Sequence, residues 1–218
     1  METIPLIDAN EFILLVQPFL LRNDADGLVA LLKSRWTRPQ LNNLLESTVV
    51  DARKVAAMCL GLVGGECALK SLTKLLADPD PVVHQMAEHS MWSIWFRLGD
   101  GTANDHLARG AQSLEKKDFV CALRHFDRAI EISPNFAEPY NQRAILHYLR
   151  DQFHESIDDC RRAIDRMPCH FGAWAGMGHC HANLGDAQHA IECYRHALTI
   201  NPGLEDIRAT VDELQCHL

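Results

Sequence analysis

Side chains that could hold a metal ion cluster in the C-terminal third of this 218-residue chain. His179, Cys180 and His181 follow one another, and Cys169 and His170 precede them. Zinc needs about four converging nitrogen or sulfur ligands. Three consecutive residues of a helix point about 100° apart, so at most two of them could share one ion. We therefore expect no metal site, and no other cofactor, in this chain.

Two adjacent carboxylates, Asp158 and Asp159, are candidates for general acid–base chemistry. Such catalysis needs carboxylates that converge on a pocket. Neighbouring residues of one helix diverge, so we expect ion pairs with Arg143 or Arg162 instead. The sequence also contains no G-x-S-x-G, no P-loop, no glycine-rich dinucleotide turn and no H-E-x-x-H. These observations predict a protein that is not an enzyme.

The charge of the chain argues against two classes of partner. The 21 Lys and Arg residues against 29 Asp and Glu residues leave a formal net charge of −8, whereas a nucleic-acid-binding face needs clustered cations. The short basic pairs, Lys116–Lys117 and Arg161–Arg162, have acidic residues close by. We therefore expect neither nucleic-acid nor membrane binding.

An apolar segment at residues 10–21 raises the question of an export signal or a membrane span. Gln17 and Pro18 interrupt it after about seven residues, far short of the ~20 that cross a bilayer, and no Lys or Arg precedes it. We predict instead a helix that caps the N-terminal repeats. Without an export signal, the eight cysteines, none in a C-x-x-C pair, are expected to be reduced thiols in the cytoplasm.

The elements that carry these residues repeat along the chain. Pro134, Pro168 and Pro202 stand 34 residues apart, which is the period of stacked helix-turn-helix units. Small residues recur opposite larger ones at matched positions, where they would let two helix backbones approach: Gly110, Ala144 and Gly178 opposite Phe126, Cys160 and Tyr194. The periodicity is helical throughout. It predicts an all-α fold, an α-solenoid of stacked helix pairs.

This pattern closely resembles the tetratricopeptide repeat family over residues 103–204. The resemblance divides the segment into repeats at 103–136, 137–170 and 171–204, with a capping helix at 205–218. The third repeat matches best, through Trp174, Met177, Gly178, Gly185, Asp186, Ala190, Tyr194, Ala197 and Pro202. The first two repeats depart at His106, Arg109, Arg143 and the Asp151–Gln152 turn. The resemblance implies a binding scaffold and not a catalyst.

Members of this family bind peptides in a concave groove lined by the first helix of each repeat. On this chain the resemblance assigns to the groove polar side chains that could hydrogen bond to an extended peptide: Asn141, Gln142, Tyr148, His179 and Asn183. One subtype holds the C-terminal carboxylate of chaperones with cations. Its clamp positions fall here on Leu107, Ala111, Gln142, Gly172 and Gly176. Because none of these is basic, we do not expect a chaperone-tail ligand.

The N-terminal half has a second period of about 31 residues, in which Leu44–Leu45 recurs as Leu75–Leu76. The segment at about 20–97 resembles short HEAT repeats, so residues 1–97 are predicted to form HEAT-like helices with an N-terminal capping helix. Glycines within 98–102 mark a short joint. The aromatic residues Trp92, Trp95 and Phe96 precede this joint, either packed inside or exposed as a second binding patch.

Together these features predict a non-enzymatic cytoplasmic adaptor that binds a protein or peptide in the groove of residues 103–204. Two alternatives stay open. Short HEAT repeats are similar to those of phycobilin lyases, and that similarity suggests a tetrapyrrole-handling or enzyme-accessory role. A structural subunit whose repeats mediate only self-association is the other alternative.

Overall fold

The computed structural model describes residues 6–216, and every regular element within that range is a helix. The predicted all-α class is confirmed. The chain divides into two compact units, Met1–Trp95 and Phe96–Leu218. Residues 217 and 218, at the end of the predicted capping helix, lie outside the described range, as do residues 1–5. Across residues 6–216 we find no helix with the length and apolar character that crossing a bilayer requires.

Short helices joined by tight turns make up the first unit. They are α1 (Ala9–Leu21), α2 (Ala25–Arg35), α3 (Arg38–Asn43), α4 (Val50–Val63), α5 (Glu66–Leu75) and α6 (Pro81–Trp95), with a 3-10 turn at Leu44–Glu46. Asp8 and Asp24 cap α1 and α2, each accepting a backbone N–H at 2.8 Å. Helices α4 and α6 meet closely at Gly61, where a Cβ would lie 2.7 Å from Ser90 Oγ.

A partly buried ion pair joins the turn before α6 to α4. Arg53 donates to both carboxylate oxygens of Asp78, at 2.8 and 3.0 Å. Pro81 is the first residue of α6, where the missing N–H costs nothing because the first turn of a helix leaves that donor without a helical partner. These contacts explain how the first unit holds together, while its assignment to HEAT-like repeats stays a prediction.

The second unit is a solenoid of three helix pairs followed by a last helix. Its elements are α7 (Gly101–Glu115), α8 (Phe119–Ile132), α9 (Ala137–Tyr148), α10 (Phe153–Arg166), α11 (Phe171–Asn183), α12 (Ala187–Ile200) and α13 (Glu205–Cys216). The turn inside each pair has one residue with positive φ: Lys117 at 57°, Asp151 at 56° and Gly185 at 78°. These three positions are themselves 34 residues apart, so the sequence period is also the period of the backbone.

The two helices of a pair approach closely where a small residue faces a large one. A Cβ at Gly110 would lie 2.5 Å from Phe126 Cε1, and a Cβ at Gly178 would lie 2.5 Å from Tyr194 Cε1. In the second pair the position opposite is Cys160, which leaves room for the methyl group of Ala144 in the same buried cluster. The predicted pairing of small and large residues is therefore present.

Arg143 connects neighbouring helix pairs through two carboxylates. Its Nε and Nη2 donate to Asp159 at 2.6 and 2.7 Å, and its Nη1 donates to Asp127 at 2.6 Å. Burial lowers the pKa of Arg143, but the hydrogen bonds to Asp159 and Asp127 outweigh it and raise this pKa above its ordinary value. The predicted ion pairing of Asp159 is confirmed, and Arg162 adds a longer contact of 3.3 Å.

The last helix, α13, covers the apolar face of the third pair. Its buried residues Ile207 and Val211 pack in one cluster with Ile191 and Tyr194. A stacked helical array needs such a covering element at its end, since the terminal pair would otherwise expose its core face to water.

Candidate functional site

A cavity of about 560 Å³ lies between the first helices of the first two pairs, α7 and α9. Short or apolar side chains, two amides and one carboxylate line it: Ala108, Ala111, Gln112, Leu114, Glu115, Gln142 and Leu149. Leu149, which directly follows α9, is 53% exposed, and Ile145 on α9 is 39% exposed. The cavity therefore offers apolar surface to solvent on the helices that line the groove in the predicted family.

Two of the three amides predicted for this groove are turned toward the protein. Asn141 is only 2% exposed, and its Nδ2 donates to Glu138 Oε1 at 3.2 Å. Gln142 lines the cavity, but its Nε2 donates to the same oxygen at 2.8 Å. The buried carboxylate of Glu138 needs these donors. Asn141 is thus not a free groove donor, and Gln142 offers mainly its carbonyl and carbon atoms.

Glu138 and His170 form a fully buried pair that the pattern did not reveal. His170 Nδ1 accepts the backbone N–H of Ala173 at 3.1 Å, so its proton lies on Nε2, which faces Glu138 Oε2 at 2.9 Å. The pair links α9 to the beginning of α11. The two residues lie 32 positions apart and do not occupy equivalent positions of the 34-residue repeat, so the period does not predict their contact.

Three of the predicted groove residues do come together, between α9 and α11. Asn183 Nδ2 lies 3.2 Å from the hydroxyl of Tyr148 and donates to the carbonyl of His179 at 2.8 Å. The rings of Tyr148 and His179 are 6.3 Å apart. The exposed amide of Asn183 is the member of this group most accessible to a ligand.

A second tyrosine, from α12, fixes the imidazole of this group. The hydroxyl of Tyr194 lies 2.8 Å from His179 Nδ1. Burial lowers the pKa of His179 and raises the pKa of Tyr194 to about 12. The imidazole is therefore neutral and the phenol protonated at neutral pH, so the contact is a hydrogen bond between two uncharged groups.

The predicted chaperone-clamp positions occupy different environments. Ala111 and Gln142 line the cavity, Leu107 is fully buried, and Gly172 and Gly176 are partly exposed on α11. No residue lining the cavity is basic. The geometry therefore has room for a ligand here but lacks the cations that a terminal carboxylate would need.

The aromatic residues proposed as a second patch, Trp92, Trp95 and Phe96, are each at least partly buried. Trp95 is 1% exposed and packs edge to face against Trp92, with ring centroids 5.0 Å apart. Phe96, the first residue of the second unit, packs on the core cluster that includes Leu107 and Phe136. The large apolar area of aromatic side chains favours burial. Of the two alternatives, packed inside or exposed, Trp95 is packed inside.

The consecutive His179, Cys180 and His181 diverge, as expected for a helix. Cys180 is buried and its Sγ lies 3.1 Å from Ser156 Oγ, while His179 contacts Tyr194. His181 turns the other way, toward Asp186, with 3.3 Å between Nδ1 and Oδ2. No two of the three consecutive residues share a partner in these contacts.

Comparison with known proteins shows that this chain is similar to tetratricopeptide repeat proteins. The tetratricopeptide repeat profile matches residues 172–204. A TPR repeat-containing protein of Rhizobium etli is 31% identical over 60% of this chain and 64% of its own length. Small glutamine-rich tetratricopeptide repeat-containing protein 2 of Mycosarcoma maydis is 28% identical over 46% of this chain and 29% of its own length. The chain thus spans less than two thirds of either relative.

A solved structure agrees on the fold. The first TPR of Spaghetti (RPAP3), bound to the HSP90 peptide SRMEEVD, has a TM-score of 0.52 at 15% identity and covers 53% of this chain and 92% of that domain. Such an identity shows the fold alone. Residues 172–204 match the tetratricopeptide repeat model, and the second unit, with three helix pairs at a 34-residue period, is similar in fold to tetratricopeptide repeat proteins.

Proposed function

We propose that this chain is a non-enzymatic adaptor that binds a peptide segment of another protein along α7, α9 and α11. The observation that carries the proposal is the open cavity of about 560 Å³ between α7 and α9, with Leu149 exposed at its edge. A cavity of this size accepts one or two apolar side chains. Residues 103–204 would be the binding array and Glu205–Cys216 its C-terminal cap.

The lining of the cavity indicates the chemistry of the ligand. Ala108, Ala111 and Leu114 would contact apolar side chains, and the carbonyl oxygen of the exposed Asn183 amide would accept a backbone N–H of the peptide. Glu115 is the charged residue of the lining, and it would repel a carboxylate. The ligand is therefore an apolar peptide segment and not an acidic tail such as SRMEEVD, the peptide bound by the TPR domain of Spaghetti.

The chemistry of the buried thiols supports binding over catalysis. Burial raises the pKa of Cys59 to about 12 and the pKa of Cys193 to about 11. Thiols with such values are protonated at neutral pH and are poor nucleophiles. Eight unpaired cysteines suit a reducing compartment, which is the basis for proposing action in the cytoplasm. The tetrapyrrole alternative finds no support, since Trp95 is buried in the first unit.

The test begins with selection of peptides on the immobilised full chain from a random phage-displayed library. The best peptide is synthesised and its Kd measured by fluorescence polarisation. Ala111→Arg fills the cavity with a long cationic side chain, so we expect at least a tenfold loss of affinity. Asn183→Ala removes one hydrogen bond, so we expect a loss of about three- to tenfold.

Ala209→Arg is the matched control, because Ala209 is exposed on α13 and does not line the cavity. It should leave the Kd unchanged. If a selected peptide binds Ala111→Arg as tightly as wild type, the binding site is not the cavity. Equal affinity for SRMEEVD would show that the inferred ligand chemistry is wrong.

A further inference from the structure

Three metal-ligating side chains converge at the turn between α11 and α12. His181, Asp186 and His189 each offer one ligand atom, and these atoms all lie within 4.8 Å of one another. Asp186 Oδ2 is 3.3 Å from Nδ1 of His181 and 2.7 Å from Nδ1 of His189. The two imidazole rings stack with centroids 5.3 Å apart and an interplanar angle of 24°. Both Nδ1 atoms therefore face the same carboxylate oxygen.

The backbone of the turn sets up this arrangement. Gly185 has a φ of 78°, which reverses the chain and brings the beginning of α12 beside the end of α11. Asp186 caps α12, because its Oδ1 accepts the backbone N–H of His189 at 3.2 Å. The two oxygens of the carboxylate are thus divided: Oδ1 serves the helix, and Oδ2 faces the imidazoles.

The other two repeats show that this turn does not need the cluster in order to fold. One repeat earlier, the positions of His181, Asp186 and His189 hold His147, Gln152 and Glu155, and in the first repeat they hold Ser113, Asp118 and Cys121. Asp118 caps α8 in the same way, at 3.0 Å from the N–H of Cys121. The cap is thus shared with the first repeat, whereas the two histidines around a carboxylate occur together only in the third.

We infer that His181, Asp186 and His189 bind a divalent transition-metal ion, with Zn²⁺ as the best match. Two imidazole nitrogens and one carboxylate oxygen are a ligand set that zinc accepts, at about 2.0–2.2 Å each. Tetrahedral ligands at that distance stand roughly 3.3 Å apart. The two separations to the carboxylate, 3.3 and 2.7 Å, are close to this value, and the two imidazole ligand atoms lie within 4.8 Å of each other, so side-chain rotation would bring all three ligands to the ion.

The environment of the cluster suits an ion that keeps a water ligand. The side chain of His181 is 13% exposed, whereas that of His189 is 61% exposed. One side of the site is thus shielded from solvent and the other is open to it, which leaves room for a fourth ligand.

Isothermal titration of the full chain with ZnCl₂ tests the inference. Cys67 and Cys216 are exposed thiols that could bind zinc, so every protein carries Cys67→Ser and Cys216→Ser. We expect one zinc ion per chain and at least a tenfold weaker affinity in His189→Gln. Asp186→Asn should weaken it similarly, since asparagine keeps the helix cap while removing the anionic ligand. Co²⁺ should give visible d–d absorption that both variants lose.

His154→Gln is the matched control, because His154 is exposed on α10 and lies outside the cluster. It should bind zinc as the parent does. Saturating zinc should also raise the melting temperature of the parent and not of His189→Gln. The inference is overturned if no stoichiometric binding is seen, or if His189→Gln and Asp186→Asn, folded by circular dichroism, retain the affinity of the parent.

Discussion

At the scale of single residues, close helix contacts depend on which glycines face a ring. Gly176 and Gly178 lie on the same helix, α11, yet their surroundings differ. A Cβ at Gly178 would lie 2.5 Å from the ring of Tyr194, whereas a Cβ at Gly176 would lie 3.5 Å from Cys160 Sγ, an ordinary contact. Only Gly178 is therefore required by packing.

Gly178→Ala is expected to destabilise the second unit. Overpacking costs about 1–3 kcal/mol, which exceeds the gain of about 0.5–1 kcal/mol from replacing glycine in a helix. Gly176→Ala is the control on the same helix and should stabilise by about that propensity gain. Urea unfolding of both variants measures the two free energies. Equal stabilities would contradict the close contact between Gly178 and Tyr194.

The residue scale also shows where patterns mislead. Asn141 and Tyr148 were assigned to the groove by the same resemblance, but the amide of Asn141 is held by Glu138, while the hydroxyl of Tyr148 reaches Asn183. Position along a repeat predicts the face of a helix. It does not predict a hydrogen-bond partner that belongs to another turn or another helix.

At the scale of elements, three helices meet at one guanidinium. Arg143 on α9 holds Asp127 on α8 and Asp159 on α10, and the side chain of Asp159 is only 4% exposed. Removing one partner of a buried pair leaves a charge without compensation, which costs far more than the pair contributes. The contact therefore secures the stacking of the first helix pair on the second.

Arg143→Met is expected to lower the free energy of unfolding by about 3–5 kcal/mol. Arg128→Met is the control, because Arg128 and its partner Glu131 are both more than half exposed. Loss of this exposed ion pair should cost less than about 1 kcal/mol. Adding Asp159→Asn to Arg143→Met should recover part of the loss. Chemical denaturation measures all three, and equal costs for the two arginines would refute the special role of Arg143.

At the scale of the whole molecule, the second unit has its own buried hydrophobic clusters, as an independent domain does. Its buried clusters draw on residues between Phe96 and Leu214. Its helix pairs each contact the next, and α13 covers the last one. A solenoid of this kind derives its stability from contacts between neighbouring repeats.

A fragment of residues 96–218 is accordingly expected to fold alone, with cooperative thermal unfolding followed by circular dichroism. A shorter fragment, 96–204, lacks Ile207 and Val211, so Ile191 and Tyr194 lose their cover and the melting temperature should fall. A 96–218 fragment without a cooperative transition would show that the second unit depends on the first. Equal melting temperatures would show that α13 is not a cap.

The internal repeats allow much of the second unit's helix packing to be predicted from the sequence. The 34-residue spacing of Pro134, Pro168 and Pro202 predicts the helix pairs, and the small residue opposite each large one predicts their close approach, because a repeat places equivalent residues in equivalent contacts. The lack of a cation at the clamp positions also follows from residue identity alone. Such features depend on local spacing.

Other features depend on side chains that meet only after folding. The Glu138–His170 pair spans 32 residues and removes Asn141 from the groove, while His181, Asp186 and His189 converge only because Gly185 reverses the chain. No linear pattern encodes these distances. The sequence determined the helical architecture and the lack of cations at the clamp positions. Tertiary contacts decided which side chains are free to bind, because burial and hydrogen bonding arise between elements and not along them.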